Sequence, residues 1–244
     1  MENINQISLH GLFFGMLGTT LGGIIGSFLK IKSSKKLGFI LEFAAGLMTA
    51  IICFDLIPES LENGNITSCM IGIFLGICLM IFTDETIKKI NNKKQKRNQF
   101  IKTGMIIFIG LTLHNFPEGL AIGAGFEASS TLGLSLAIAV AIHDVPEGIS
   151  IAVPLKEGGE SKIKAIILTA ISGVTTGMGS FFGAIAGSVS KQLISGSLAL
   201  AAGAMLYIVA CELIPESKNI YKGRFTSFGN ILGITLGFLA HVCF

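Results

Sequence analysis

The chain has 244 residues, of which 51% are hydrophobic and only 14% are charged, with a mean hydropathy of +0.73. A soluble domain carries about 25% charged residues, so this composition excludes an ordinary water-soluble globular protein. The formal net charge of +3 comes from basic residues clustered between apolar runs, and it does not indicate nucleic-acid binding.

Eight apolar runs follow one another along the chain, each close to the ~20 residues that cross the hydrocarbon core of a bilayer. We predict an all-α integral membrane protein with one transmembrane helix per run and no separate soluble domain. Pro58 and Pro215 can stop or kink the second and seventh helices, so the sequence leaves their ends open. The eight predicted helices cover residues 7–29, 37–58, 66–87, 103–125, 131–155, 163–189, 193–215 and 226–244.

The basic residues predict how these helices are oriented. All Lys and Arg residues except Lys191 follow helices 1, 3, 5 and 7, and those four loops share one side of the membrane. The positive-inside rule assigns that side to the cytoplasm and places both termini outside it. The basic run at 91–99 is then a topology determinant near anionic lipid, with an RNA-binding tail as the weaker alternative. We expect a multi-pass plasma-membrane protein surrounded by lipid, without a nucleic-acid partner.

Helices 1–3 align with helices 6–8 without a gap when the sequence is shifted by 157 residues. AAGLMTAIICFDLIPES at 44–60 lies over AAGAMLYIVACELIPES at 201–217, and glycines of the flanking helices coincide. Equivalent helices are five apart, an odd number, so the repeats run in opposite directions, as in many secondary transporters. We predict one transmembrane domain over residues 1–244 in a 3+2+3 arrangement: repeat one at 7–87, metal-site helices at 103–155 and repeat two at 163–244.

Helices 4 and 5 carry two related hexapeptides, HNFPEG starting at His114 and HDVPEG starting at His143. Each begins near the predicted membrane midplane, where ionisable residues indicate a functional site by default. Positions i and i+4 share a helix face, so His114 lies with Glu118 and His143 with Glu147. If the two helices pack antiparallel, these four residues form a metal site that suits Zn²⁺ and accepts Fe²⁺, Mn²⁺ or Cd²⁺.

Asn115 and Asp144 each follow one of these histidines, rotated by about 100° around the helix axis. With Glu118 and Glu147 shared between positions, they provide ligands for a second ion beside the first. One ionised carboxylate at the membrane centre costs about 3 kcal/mol, and the apolar helices offer no Lys or Arg to offset it. A metal ion or protons must supply that charge. The alternative is a polar cluster that only holds the helices together.

Two pairs of acidic residues end helices 2 and 7. Asp55 and Glu59 lie at the predicted outer face, and their repeat partners Glu212 and Glu216 lie at the predicted cytoplasmic face. One pair at each mouth predicts a path that collects cations on one side and releases them on the other. Hydrated helix ends also carry acids as plain interface residues, which is the alternative interpretation.

The hexapeptides, the eight helices and the outward termini resemble those of the ZIP (Zrt/Irt-like) metal transporters, most closely the bacterial zinc-uptake type. The resemblance covers the whole chain and implies ATP-independent uptake of zinc and related divalent cations by alternating access. Helices 1, 4, 5 and 6 would move against helices 2, 3, 7 and 8. The implied binuclear site has its main position at His114, Glu118, His143 and Glu147 and its second at Asn115 and Asp144 with the bridging glutamates.

One residue departs from the pattern of that family. Thr176 stands where many relatives carry a glutamate in helix 6, so the sequence leaves open whether the second position is occupied. The metal preference, the coupling to protons, channel-like or carrier-like transport and the oligomeric state are open as well, with a homodimer as one alternative.

Two other classes of function compete with a divalent-metal importer. An intramembrane zinc hydrolase would need a general base, usually within an HExxH pattern, which the sequence lacks. A metal sensor would need a signalling domain or partner. An ATP-driven pump would need a phosphate-binding loop of the GxxxxGK[ST] type, which is also absent. We therefore predict a transporter and not an enzyme.

Overall fold

The computed structural model describes residues 3–28, 34–91 and 99–243, and these residues contain helices but no β-strand. Each predicted apolar run lies on one helix, which confirms the all-α prediction. Residues 29 and 244, and most of the basic run 91–99, lie outside the described residues. The helices are α1 (Ile4–Phe28), α2 (Ser34–Ala50, Ile51–Leu56 and Ile57–Asn63), α3 (Ile66–Asn91), α4 (Gln99–Ala128), α5 (Ser130–Glu157), α6 (Lys162–Val189), α7 (Lys191–Ile208, Val209–Leu213 and Ile214–Ile220) and α8 (Phe225–Cys243).

The surface of the helix assembly is apolar. In the part of the chain that the structure describes, α1, α2, α5, α6, α7 and α8 are long and apolar enough to cross a membrane, whereas the apolar part of α3 is shorter. Phe82 and Ile163 are each 71% exposed and Val242 is 64% exposed. Such side chains would favour aggregation in water, but they are the expected surface of helices in lipid. The chain is therefore a multi-pass membrane protein.

Both α2 and α7 widen into one π-helical turn shortly before a proline. Ile51–Leu56 precedes Pro58, and Val209–Leu213 precedes Pro215. Proline has no N–H, and its ring collides with the carbonyl four residues earlier, so the backbone shifts to hydrogen bonds that span five residues. Each helix therefore continues through its proline, and the ends left open by the sequence lie beyond it.

The helices contact one another in matching pairs. The contact of α1 with α5 has its repeat-equivalent in the contact of α6 with α4. In the same way, the contact of α2 with α8 has its repeat-equivalent in the contact of α7 with α3. In addition, α2 contacts α5 as α7 contacts α4, while α1 packs on α6. A central bundle of α1, α4, α5 and α6 is thus flanked by the pairs α2–α8 and α3–α7. These paired contacts support the inverted repeat, although the 3+2+3 arrangement and its domain bounds remain predictions.

Two buried serines tie α2 and α7 together at repeat-equivalent places. The Ser60 hydroxyl, near the end of α2, donates to the carbonyl of Ser195 near the start of α7, at 2.9 Å. The Ser217 hydroxyl, near the end of α7, donates to the carbonyl of Gly38 near the start of α2, also at 2.9 Å. The serine of each LIPES motif therefore joins its own repeat to the other one.

Glycines allow the flanking helices to touch backbone to backbone. A Cβ atom at Gly76 of α3 would collide with the backbone carbonyl of Leu200 in α7. A Cβ atom at Gly233 of α8 would collide with the backbone carbonyl of Phe43 in α2, the repeat-equivalent contact. Small residues of this kind let membrane helices approach closely. A rigid backbone atom cannot move aside as a flexible side chain can.

We expect Gly76→Ala to destabilise the protein by about 1–3 kcal/mol, because the new methyl group overlaps the backbone of α7. The measurement is thermal unfolding of the purified protein in detergent. Gly196→Ala is the matched control in α7, since no atom lies within 4 Å of the added Cβ. The control should be neutral or stabilising by about 0.4–1 kcal/mol. Equal melting temperatures for the two variants would contradict the close packing.

Candidate metal centre

α4 and α5 form an antiparallel hairpin whose connection is the single residue Ser129. Ser129 caps α5 by accepting a hydrogen bond from a backbone N–H of its first turn. At the far end of the pair, a Cβ atom on Gly104 of α4 would meet Leu155 of α5, so the helices stay together along their length. The midpoint of α5 falls between His143 and Asp144. The hairpin thus brings the two hexapeptides face to face.

Three side chains of the hexapeptides form a compact buried cluster. Glu118, His143 and Asp144 are each 0% exposed, and one ligand atom of each lies within 4.8 Å of the other two. His143 Nε2 makes a short hydrogen bond with Glu118 Oε1 and lies 3.6 Å from Asp144 Oδ1. Ligand atoms around a tetrahedral Zn²⁺ are about 3.4 Å apart, given bonds of about 2.0–2.1 Å. The cluster has the size and the N/O donor set of a zinc site.

The other nitrogen of His143 holds the ring in the orientation that a metal ligand needs. His143 Nδ1 lies 3.1 Å from the carbonyl oxygen of Ala139, one turn earlier on the same helix. A carbonyl only accepts hydrogen bonds, so Nδ1 carries a proton and donates it. Nε2 then points at the carboxylates of Glu118 and Asp144. Metal-binding histidines usually donate their second ring N–H to a carbonyl in this way.

Negative charge is concentrated in this part of the molecule. Glu118, Asp144 and Glu147 are all 0% exposed, and no Lys or Arg is buried among the side chains that the structure describes. Several buried carboxylates are costly unless a positive charge accompanies them. A cation or protons must therefore accompany these carboxylates, and the N/O donors of the cluster can hold either.

The structure brings three of the predicted ligands together and leaves the others outside that cluster or undescribed. It brings Glu118, His143 and Asp144 together, although the sequence assigned Asp144 to the second position. Successive residues of a helix point about 100° apart, yet His143 Nε2 and Asp144 Oδ1 lie 3.6 Å from each other. Glu147 is fully buried one turn after His143 but lies outside the three-residue cluster. His114 lies in α4, but its side chain is outside the described part of the structure, so the predicted ligand set remains a prediction.

Two neutral oxygen atoms are buried close to the hexapeptides. Asn115 Nδ2 donates to the carbonyl of Ser172 at 2.9 Å, which ties α4 to α6. Asn115 Oδ1 and Thr176 Oγ1 have no hydrogen-bond partner among the described residues, and both residues are 0% exposed. The neighbouring Thr175 hydroxyl, in contrast, has two carbonyl acceptors for its one hydrogen, those of Thr112 at 2.6 Å and Ser172 at 2.7 Å. Position 176, where the family pattern has a carboxylate, thus adds an oxygen but no charge.

The predicted pathway acids have different surroundings in the two repeats. Glu212 Oε2 would lie 3.3 Å from a Cβ atom on Gly110, so this carboxylate faces α4 one turn before His114. Its repeat partner Asp55 instead pairs with His241 of α8, with 2.8 Å between Asp55 Oδ1 and His241 Nδ1. The two repeat-equivalent acids thus have different neighbours, α4 for Glu212 and α8 for Asp55.

The remaining two pathway acids lie one helical turn farther along. Glu59 accepts a hydrogen bond from Asn63 Nδ2 at 2.8 Å, and Glu216 is half-buried. One acid that the sequence reasoning did not single out is Glu42, which is 2% exposed in α2. The available signal was an acidic residue inside the apolar run 37–58, thirteen positions before Asp55.

The chain is similar to known zinc transporters. Residues 92–243 match a family model described as ZIP Zinc transporter. The zinc transporter GufA of Myxococcus xanthus is 42% identical over 135 residues, which cover 55% of this chain and about half, 53%, of that protein. The zinc transporter ZupT of Enterobacter sp. (strain 638) is 32% identical over 229 residues and 89% of each chain. The zinc transporter ZTP29 of Arabidopsis thaliana is 31% identical over 92% of this chain and 89% of its own length.

We expect Asp144→Asn to weaken zinc binding by at least about tenfold, because it removes a charged oxygen ligand and keeps the shape of the side chain. Isothermal titration calorimetry of the purified protein with zinc measures the effect. The matched control is Glu157→Gln, which removes a half-exposed carboxylate from the end of the same helix. A D144N protein that binds zinc as tightly as E157Q would refute the role of Asp144.

Proposed function

This chain belongs to the ZIP zinc transporter family, and on that premise we propose that it carries zinc into the cytoplasm through the buried cluster between α4 and α5. Family membership and the named zinc transporters support divalent-metal transport, and they indicate a transporter rather than an enzyme. The observation that carries the proposal is the cluster of Glu118, His143 and Asp144 at the middle of two paired helices. Its buried negative charge needs a cation.

The proposed main site contains His114 and Glu147 in addition to the three clustered residues. His114 begins the α4 hexapeptide, and Glu147 lies one turn after His143, so both belong to the same pair of helices. Asn115 Oδ1 would serve a second position beside Asp144. The imidazole and carboxylate donors suit Zn²⁺, and the same donors make Fe²⁺, Mn²⁺ and Cd²⁺ further proposed substrates.

The proposed route continues from the cluster along α4. Gly110, next to Glu212, lies about 6 Å from His114 along the helix axis, on the side of the α4 N-terminus. The basic loop before α4 assigns that side to the cytoplasm by the positive-inside rule. Glu212 is thus the proposed next ligand for a departing ion, followed by Glu216. On the opposite side, Asp55 and Glu59 are the proposed acids that collect zinc.

The proposed transport cycle moves the central bundle against the flanking helices. α1, α4, α5 and α6 pack on one another, and the bundle meets the flanking helices mainly where α4 contacts α7 and α5 contacts α2. These two contacts lie at repeat-equivalent places, so weakening one while tightening the other would expose the site to each side in turn. The proposed cycle is independent of ATP, in keeping with a sequence that carries no GxxxxGK[ST] phosphate-binding loop.

We expect Glu118→Ala to abolish zinc uptake, because it removes a central ligand and changes the charge of the cluster. The measurement is uptake of radioactive zinc into proteoliposomes that contain the purified protein. A decrease of about 100-fold, to the level of empty liposomes, is the predicted result.

Glu127→Gln is the matched control, since Glu127 also belongs to α4 but lies near its end, beside Gly187 of α6. Uptake by E127Q should remain close to that of the unmodified protein. Undiminished transport by a folded E118A protein would refute the proposed site. Failure of the unmodified protein to take up zinc would refute the proposed function itself.

A further inference from the structure

The buried carboxylate of Glu42 takes part in a network of charged and hydroxyl groups in which Lys218 is 38% exposed. Its carboxylate is 2.7 Å from Lys218 Nζ and accepts a hydrogen bond from the Thr226 hydroxyl at 3.3 Å. The Lys218 ammonium group also donates to Thr226 Oγ1 at 2.8 Å and to Ser227 Oγ at 2.7 Å. The three donor positions of the ammonium group are thereby matched by three acceptors. We call this network the Glu42–Lys218 clamp.

The clamp joins three helices at one end of the flanking assembly. Glu42 lies in the first part of α2, Lys218 lies in the last segment of α7, and Thr226 and Ser227 begin α8. The hydrogen bond from Ser217 to Gly38 lies beside it. The basic loops predict that this end of the protein faces the cytoplasm.

The clamp occurs in only one of the two repeats. A shift of 157 residues places Ala199 at the position of Glu42, Leu61 at Lys218 and Cys69 at Thr226. The equivalent junction is instead held by hydroxyl groups, with Ser60 and Ser68 both next to Ser195. An ion pair with one partly exposed member contributes little net stability, so stability alone does not account for this difference.

We propose that the Glu42–Lys218 clamp is a positioning device for zinc release, an inference that rests on the proposed transport function. Lys218 lies two residues after Glu216, in the short segment Ile214–Ile220 that directly follows the π-helical turn of Glu212. When the clamp fixes this segment against α2 and α8, it fixes the direction in which Glu212 faces α4. Without the clamp, the segment moves and the ion leaves the central site more slowly.

Neutral variants separate positioning from metal binding. We expect Glu42→Gln and Lys218→Met to lower the maximal rate of zinc uptake by at least about fivefold, because a small misplacement of a participating group is costly. The KM should stay within about twofold, and calorimetry should show unchanged zinc affinity, since neither residue is a proposed ligand. Lys218→Arg keeps the charge and should retain a rate close to that of the unmodified protein.

Glu160→Gln is the matched control. It breaks the ion pair between Glu160, in the loop before α6, and Lys164, in the first turn of α6, which has the same 2.7 Å separation with Lys164 47% exposed. Uptake by E160Q should equal that of the unmodified protein. An equal decrease in E160Q and E42Q would overturn the proposal, because the effect would then follow the loss of any carboxylate on that side.

Hydrogen–deuterium exchange tests the clamp without any transport assay. In Glu42→Gln, amide exchange in residues 214–220 should accelerate by at least about fivefold, while the equivalent residues 57–63 stay unchanged. Unchanged exchange in 214–220, or an unchanged uptake rate in a protein that transports zinc, would overturn the positioning role. Loss of zinc binding in E42Q would overturn it too. An unmodified protein without zinc uptake refutes the proposed function instead, and the exchange experiment still decides whether the clamp exists.

Discussion

The rest of the structure depends on one electrostatic constraint, the burial of carboxylates in the middle of an apolar helix pair. Glu118, Asp144 and Glu147 are withdrawn from solvent together with His143, and among the described side chains no buried Lys or Arg accompanies them. Each ionised carboxylate at such a depth costs about 3 kcal/mol. Only a cation or protons can offset that cost, and a site that binds and releases a divalent ion does so reversibly. The family to which the chain belongs transports such ions.

The two LIPES-containing helices have matching backbone features, which the proposed two-sided access to the site requires. Equivalent prolines place π-helical turns in α2 and α7, and equivalent serines tie each of these helices to the other. The two halves differ in the contacts that their charged side chains make. Glu212 faces the metal-site helix while Asp55 pairs with His241, and the Glu42–Lys218 pair has no counterpart. The two halves share a backbone geometry but carry different charged side chains. This difference is a physical basis for the proposed capture of zinc on one side and its release on the other.

The sequence predicted the helices well because each run of apolar residues is bounded by charged or glycine-containing loops. It also predicted that Glu118 and His143 would meet if the two helices packed antiparallel across a short loop, because i and i+4 spacing sets the histidine and glutamate of each hexapeptide on one helix face. It assigned Asp144 to a second position that shares Glu118, and this division of the ligands stays a prediction, because a rotation of 100° per residue does not say where the facing helix crosses. The pairing of Asp55 with His241 and of Glu42 with Lys218 joins residues more than 170 positions apart. No local pattern encodes such contacts, which follow from the packing of α2, α7 and α8.

The most direct test is X-ray diffraction at the zinc absorption edge from crystals of the protein soaked in zinc. An ion that compensates the buried carboxylates should give an anomalous peak between α4 and α5. Its distances to Glu118, His143 and Asp144 should be about 2.0–2.2 Å. Crystals that contain zinc elsewhere but show no peak between these helices would contradict the account, because the buried charge would then be neutralised without a metal ion.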